Sequence, residues 1–276
     1  MMHLQSPLLT RLGVVHGFSV RTGGVSAAPF DSLNLGGLVG DDPLAVDRNR
    51  TLLFEAAGLA ASQVATVNQV HGDRVVFASA GPSRFVVSER AGGEALGGAV
   101  DADAIVAAPG VAAGVRTADC VPILLFDPAS GAAAAVHAGW RGTFARIASR
   151  AVSCLVTSYG TDVAELRAAI GPAIGRCCFE VGADVASRFV EAPAFGSDVV
   201  IPAAEGQGPH VDLVLANQRL LVAAGLHSEH VDVLDRCTVC EPELFFSHRR
   251  DAGRTGRHLS FVLGRRPADV GGGAER

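Results

Sequence analysis

With 276 residues, 49% of them apolar and only 18% charged, the chain has enough material for a sizeable core and too little charge for a disordered one. Its formal charge of -5 argues against nonspecific nucleic-acid binding, and the local cluster of Arg249, Arg250, Arg254 and Arg257 points instead to a local anion site. All 23 basic residues are arginines, and the missing lysine excludes Schiff-base and pyridoxal-phosphate enzymes, Walker-loop nucleotide hydrolases and kinases.

The N-terminal segment has no basic region followed by an apolar run and a small-residue cleavage site, so a cytoplasmic location is expected. Six cysteines are too sparse for a disulfide framework and are expected to be reduced, mostly buried thiols. Residues 14–40 read as strand and loop around a glycine-rich segment. A helix follows, capped by Asp42 with Pro43 in its first turn, running over 45–57 and stopping at Gly58. Strands are expected over 64–70 and 74–78, around a turn at His71-Gly72-Asp73. The apolar stretch 104–115 is broken by Pro109 and two glycines and falls short of the roughly 20 residues needed to cross a bilayer, so no membrane contact is expected. Residues 121–126 and 132–137 read as a buried hairpin closed by Asp127-Pro128-Ala129-Ser130. Helices are predicted over 143–158, 183–191 and 213–224, and strands over 166–170, 231–234 and 258–263. This mixture implies an α/β domain of mixed α+β type, layered mixed sheets flanked by helices, over 1–264. Residues 265–276, rich in glycine and charge, read as a flexible tail.

If the hairpin closes with the loop 127–130, Phe126 pairs with Gly131, and Cys120 pairs with His137. Opposed residues on one face of an antiparallel pair bring their Cβ atoms to about 4.5–5.5 Å, close enough to share a metal ion or form a thiolate–imidazole pair. His71, at a strand end, is the natural third ligand. A Cys-His-His set suits Zn²⁺ with a fourth position open for water or substrate, the mark of a catalytic site. The competing reading is a small buried thiol with two ordinary histidines, since the separations match no stereotyped finger.

The chain resembles the YfiH-like proteins, which carry a multicopper polyphenol oxidoreductase (laccase-domain) label and a later one as purine nucleoside phosphorylases. The resemblance runs through HGFSVRTGGVS (16–26), SLNLGG (32–37), GDDPLAVDRNR (40–50), NQVHGDRV (68–75), DADAIVA (101–107) and RTADCVPILLFD (116–127). It continues through AAVHAGWRGT (134–143), AIGPAIGRCCFEVG (169–182) and FFSHRRDAGRTGRHLSFV (245–262). The resemblance implies zinc at His71, Cys120 and His137. It also implies phosphorolysis of adenosine, inosine, guanosine and methylthioadenosine, and deamination of adenosine. Purine nucleosides and phosphate would then be the partners, with the protein a monomer or weak homo-oligomer. Nine histidines without one His-x-His pair do not suit a four-copper oxidase, although a single Cys-His-His site binds copper as a substitute.

Phosphorolysis needs an anion site beside the ribose and relief of charge as the purine leaves. Arg50 and Arg141 are the first candidates for this work, with Arg250 behind them, and each could equally be a structural arginine. Deamination would draw on a metal-activated water, with Asp119 or His71 moving protons. Asn34, Gln69 and Phe179 lie in motif loops and are candidate substrate contacts; a turn role for Asn34 and a core role for Phe179 or Trp140 are the alternatives. Cys177 and Cys178 and the pair Cys237-Thr-Val-Cys240 lack the matched spacing of a zinc finger. Two other functions compete. One is a metal-free hydrolase with Cys120 activated by His137, such as an amidase editing cell-wall precursors, and the other is a non-enzymatic binding protein.

Overall fold

Strands in the middle of this chain are apolar on both faces, a pattern that only a sheet covered on both sides can use. The computed structural model describes residues 1–82, 85–203 and 206–265. Its first half contains β1 (His3–Leu4), α1 (Pro7–Arg11), β2 (His16–Ser19), α2 (Pro43–Ala57), β3 (Val64–Ala65), β4 (Val75–Ala80), β5 (Phe85–Ser88), β6 (Ala104–Ala107), β7 (Ala112–Thr117), β8 (Val121–Phe126) and β9 (Ala133–Ala138). The second half adds α3 (Trp140–Phe144), α4 (Ile147–Tyr159), β10 (Arg167–Ile170), α5 (Ala183–Glu191), β11 (Val200–Ile201), β12 (His210–Val211), α6 (Leu213–Ala223), β13 (Val231–Val233) and β14 (His258–Leu263).

Two mixed sheets are stacked, one in the order β1-β2-β14-β7-β3 and the other β13-β10-β8-β9-β6-β4-β5. Between them lies a core that includes Phe18, Val76, Ile105, Val115, Leu124 and Phe126. The other face of the larger sheet sends Val121, Ile123 and Leu125 against Ile147, Leu155 and Leu220 of the helical layer. Alternate residues of β8 therefore enter two different cores, and each large aliphatic side chain buried there contributes about 1.5–3 kcal/mol. On the outer face of the smaller sheet, Leu53 and Phe54 of α2 meet Leu259 and Phe261 of β14. The α2 caps follow the local chemistry: the Asp42 side chain accepts from the Leu44 N–H at 3.0 Å and Gly58 ends the helix at φ 68°.

Several expectations are corrected. The hairpin loop is 128–131, because the Asp127 carboxylate accepts the Ala129 N–H and the Ser130 hydroxyl and so draws the turn one residue onward. The Asp127 N–H then donates to Ala132 O, and His137 opposes Pro122 instead of Cys120. The helix expected over 143–158 is two helices, α3 starting earlier at Trp140 and α4 beginning after Arg146, which turns the chain at φ 61°. α3 is drawn toward α6, where Asn217 Nδ2 donates to the buried Thr143 hydroxyl at 2.9 Å. The strand expected over 64–70 is reduced to β3 and a bridge from Asn68 to Asp101. The apolar stretch 104–115 spans β6 and most of β7, reversing at Gly110 with φ 90°. Cys177 and Cys240 are exposed, and Cys120, Cys154, Cys178 and Cys237 are half-buried. Of the expected tail, all but Arg265 lies outside the described residues. No helix of the described residues is long and apolar enough to cross a membrane.

Candidate metal centre and its cleft

The site forms where the chain crosses from one sheet to the other. β7 ends at Thr117 in the smaller sheet and β8 begins at Val121 in the larger, so residues 118–120 must bend sharply between layers. Asp119 makes the bend at φ 89°, a conformation costly for any residue with a Cβ. Its carboxylate accepts from the Thr238 hydroxyl at 2.6 Å and the Arg249 N–H at 2.7 Å, which holds the bend in place. Cys120 thereby emerges beside the end of β9, which carries His137. His71 arrives from the loop after β3, also in the left-handed region at φ 61°. The ligand atoms of His71, Cys120 and His137 all lie within 4.8 Å of one another.

Asp103, just before β6, organises this group from behind. It is fully buried, and its carboxylate accepts the N–H groups of His71 at 2.9 Å and Gly72 at 2.7 Å, with Val70 at 3.3 Å. It also accepts His137 Nδ1 at 2.7 Å. Because a carboxylate only accepts, His137 carries a proton on Nδ1, and Nε2 is the nitrogen that a metal would bind, displacing the proton it holds in the metal-free imidazolium. Burial alone would raise the Asp103 pKa, but the His137 hydrogen bond and the Gly72 N–H lower it. Burial likewise works against ionisation of Cys120 and His137. The mutual attraction of the two, helped by His71 at the thiol and by Asp103 at the imidazole, brings the Cys120 thiol down to about 6 and raises His137 to about 9. A thiolate, a preset imidazole and a second imidazole form a borderline-soft set that fits Zn²⁺. Gly139 lets them close up, since a Cβ there would sit 3.1 Å from His71 Cδ2 and 3.2 Å from Cys120 Sγ.

The three residues stand in a cleft of about 430 Å³, within the usual range for a small-molecule site. Its walls include Arg116, Arg249 and Arg257, and none of the ion pairs among the described residues involves them. Arg249 lies over the Phe179 ring at 5.4 Å, and Phe179 and Ile174, with Leu38, Val39 and Ala118, form the apolar part of the wall. Of the candidates from the sequence, the cleft brings together His71, Gln69, Asp119, Cys120, His137 and Phe179. Gln69 spends its amide on the backbone of Arg116, in two hydrogen bonds of 2.6 and 2.7 Å. Asn34 is fully buried and bonds to Gly36, Asp41 and the Arg257 N–H, so it shapes the loop at the rim without facing the cleft. Arg50 stands behind that rim, paired with Asp47 and bonded to Leu35 O. Arg141 lies over Trp140, and Arg250 is tied to Asp251, Thr238 O and Phe245 O; neither lines the cleft. Asp103, Arg116 and the rim residue His248 have no role among the expectations from the sequence, although all three lie inside motifs that carry the resemblance, whereas Arg249 and Arg257 belong to the arginine cluster expected to form a local anion site. A carboxylate directly before a buried apolar strand was the available signal for Asp103.

Residues 15–265 match the family model described as multi-copper polyphenol oxidoreductase laccase. A Deinococcus radiodurans protein named purine nucleoside phosphorylase is 42% identical over 269 residues, covering 96% of each chain. The Escherichia coli protein named purine nucleoside phosphorylase YfiH is 40% identical, over 91% of this chain and 93% of its own. Among solved structures, YlmD from Geobacillus stearothermophilus superposes with a TM-score of 0.81 at 36% identity, over 96% of this chain and 99% of that one. Fold and site thus define a layered α/β protein with a Cys-His-His centre. The chain belongs to the YfiH-like, laccase-domain family.

Proposed function

We propose that this chain is a zinc-dependent purine nucleoside phosphorylase acting on adenosine, inosine, guanosine and methylthioadenosine, with adenosine deamination as a second activity. One observation carries the reading: a Cys-His-His donor set opens into a cleft whose walls hold three arginines whose guanidinium groups enter no ion pair among the described residues. The names of the relatives support the nucleoside and the phosphate. Zinc, when bound by His71, Cys120 and His137, would supply Lewis acidity at the cleft floor. Arg116, Arg249 and Arg257 bind the phosphate dianion and hold it in line with ribose C1′. A phosphate oxygen forms the new bond to C1′ as the C1′–N bond to the purine breaks and its electron pair leaves with the base. Phe179 and Ile174 pack against the purine, and His248 at the rim delivers the proton that the departing base takes up. Deamination is a separate reaction of bound adenosine: water adds at C6 of the adenine ring and the 6-amino group leaves as ammonia, giving inosine. The multicopper description finds one imidazole-bearing cluster among the described residues, which suits a single metal, and copper there would be a substitute for zinc.

The hydrogen bond from His137 to Asp103 also favours a second reading. Without metal, Cys120, His137 and Asp103 form a nucleophile, base and orienting carboxylate, the arrangement of a thiol hydrolase. The deciding experiment incubates zinc-loaded protein with adenosine, with and without phosphate, and separates the products, using Cys120→Ala as control. Adenine and ribose 1-phosphate formed only with phosphate, and lost in the variant, are expected. Inosine without phosphate would report the deaminase. Absence of any nucleoside product, together with a metal-free enzyme trapped by iodoacetamide, would overturn the phosphorylase in favour of the hydrolase.

A further inference from the structure

A second group of ligand atoms lies outside the cleft. Cys177 and Cys178 come from the turn before Phe179, and Cys237 and Cys240 from the loop after β13. Backbone bonds already join the two segments: Ala173 N–H to Arg236 O at 3.2 Å and Thr238 N–H to Ala173 O at 3.0 Å. All four sulfurs lie within 4.8 Å of one another, with separations of 3.4 Å for Cys178–Cys240, 3.6 Å for Cys177–Cys240 and 3.7 Å for Cys177–Cys237. A disulfide requires about 2.05 Å. A tetrahedron of sulfurs at about 2.3 Å from a zinc ion has edges of about 3.8 Å. The observed spacing is therefore that of a metal shell and far from that of a covalent pair.

The backbone around Cys237 Sγ is arranged for negative charge. Cys237 Sγ accepts the Gly175 N–H at 3.3 Å and faces the N–H groups of Val239 and Cys240 as well. Amides that converge on the first sulfur of a Cys-x-x-Cys turn stabilise a thiolate. Glycine at 175 is what permits the approach, because a Cβ there would lie 3.1 Å from Cys177 Sγ and 3.3 Å from Cys237 Sγ. The turn Gly175–Cys178, closed by the Cys178 N–H to Gly175 O at 2.9 Å, presents both adjacent cysteines to the same point.

We propose that Cys177, Cys178, Cys237 and Cys240 hold a second zinc ion as a closed tetrathiolate. Four protein sulfurs leave no open position, so this site is structural. As each Zn–S bond forms, a sulfur still protonated releases its proton to solvent, and no oxidant or reductant is involved. The ion ties the segment ending in Phe179 to the one in which Thr238 holds Asp119, and so braces the cleft wall behind the first metal centre. The sequence conceals it because the adjacent Cys177-Cys178 pair does not match the Cys-x-x-Cys spacing of its partner.

The test is elemental analysis of the full-length protein purified from zinc-supplemented cells. Two zinc equivalents are expected for the wild type, and one each for Cys237→Ser and Cys120→Ala. Cobalt added to metal-free Cys120→Ala should give the intense sulfur-to-cobalt absorption of a tetrathiolate, which Cys120→Ala/Cys240→Ser should lose. Cys240 is exposed, so that change keeps the test available if Cys237→Ser is insoluble. Zinc content unchanged in both cysteine-cluster variants, or disulfides among these four residues in the unreduced wild type, would overturn the proposal. The readout is separate from catalysis: failure of the phosphorylase reading leaves the loss of one equivalent in Cys237→Ser intact.

Discussion

Replacing Asp103 with asparagine preserves shape and removes charge at a point where four donors converge. Oδ1 accepts from His137 Nδ1 and the His71 N–H, and Oδ2 accepts from the N–H groups of Gly72 and Val70. An amide offers only one oxygen, so its NH₂ group must face one of these pairs of donors. Two hydrogen bonds to a charged acceptor are then lost, each worth about 1.5–3 kcal/mol, and an upper figure of about 3–6 kcal/mol in folding stability follows. Disturbing the carboxylate behind a histidine ligand typically weakens metal binding 10–100-fold, or about 1.4–2.8 kcal/mol. Zinc affinity measured by chelator competition at neutral pH, alongside urea unfolding of the metal-free protein, separates the two effects. Asp103 has a lowered native pKa, so its stabilisation is complete above the unfolded value of 3.8 and fades as pH falls through the native one. The gap between wild type and variant should therefore hold at neutral pH and narrow in acid. A folded Asp103→Asn with zinc affinity within about twofold of the wild type would refute the claim that this carboxylate sets the imidazole for the metal.

The remaining predictions address the same cleft. In metal-free protein, alkylation of Cys120 by iodoacetamide should rise about tenfold per pH unit up to about 6 and then level off, because the rate follows the thiolate and His137 favours it; a midpoint near the ordinary thiol value would contradict the pairing. Arg257→Ala and Arg116→Ala should each raise the KM for phosphate about tenfold or more, by loss of a charge-assisted contact worth about 1.5–3 kcal/mol. Arg141→Ala, which removes a group stacked on Trp140 away from the cleft, should change it less than about threefold. Gly139→Ala should weaken zinc binding with little effect on unfolding of the metal-free protein, because the new methyl presses on His71 and Cys120; equal zinc affinity in the two proteins would show that the loop yields.

How much of this was written in the chain depends on the range of the interaction. Asp42, Pro43 and Gly58 place α2 because a cap is satisfied within a few residues of itself, and Gly160 ends α4 in the same way. The apolar runs of β8 and β9 mark buried strands for a similarly local reason. Their pairing was read two residues out of register, yet Cys120 and His137 still share a face, because side chains alternate with a period of two and an even shift preserves the side. The expectation of a Cys-His pair thus rested on parity, which is more robust than the register itself. His71 could be added because its motif ends a strand and resembles a known one.

Only the tertiary structure decided what stands around those three residues. Asp103 and His137 meet because β6 and β9 are neighbours in the larger sheet, a pairing with no local signature. Arg116 and Arg257 reach the cleft, and Arg141 and Arg250 do not, because the layers of the fold decide which arginine ends at the seam between the sheets. The four cysteines gather because a parallel bridge joins Ala173 to Cys237. The sequence by itself determined the elements and the chemistry that each could carry, since caps, alternation and donor type are properties of near neighbours. The company each donor keeps was settled by the stacking of the sheets, which brings together residues whose separation along the chain carries no information about their distance in space.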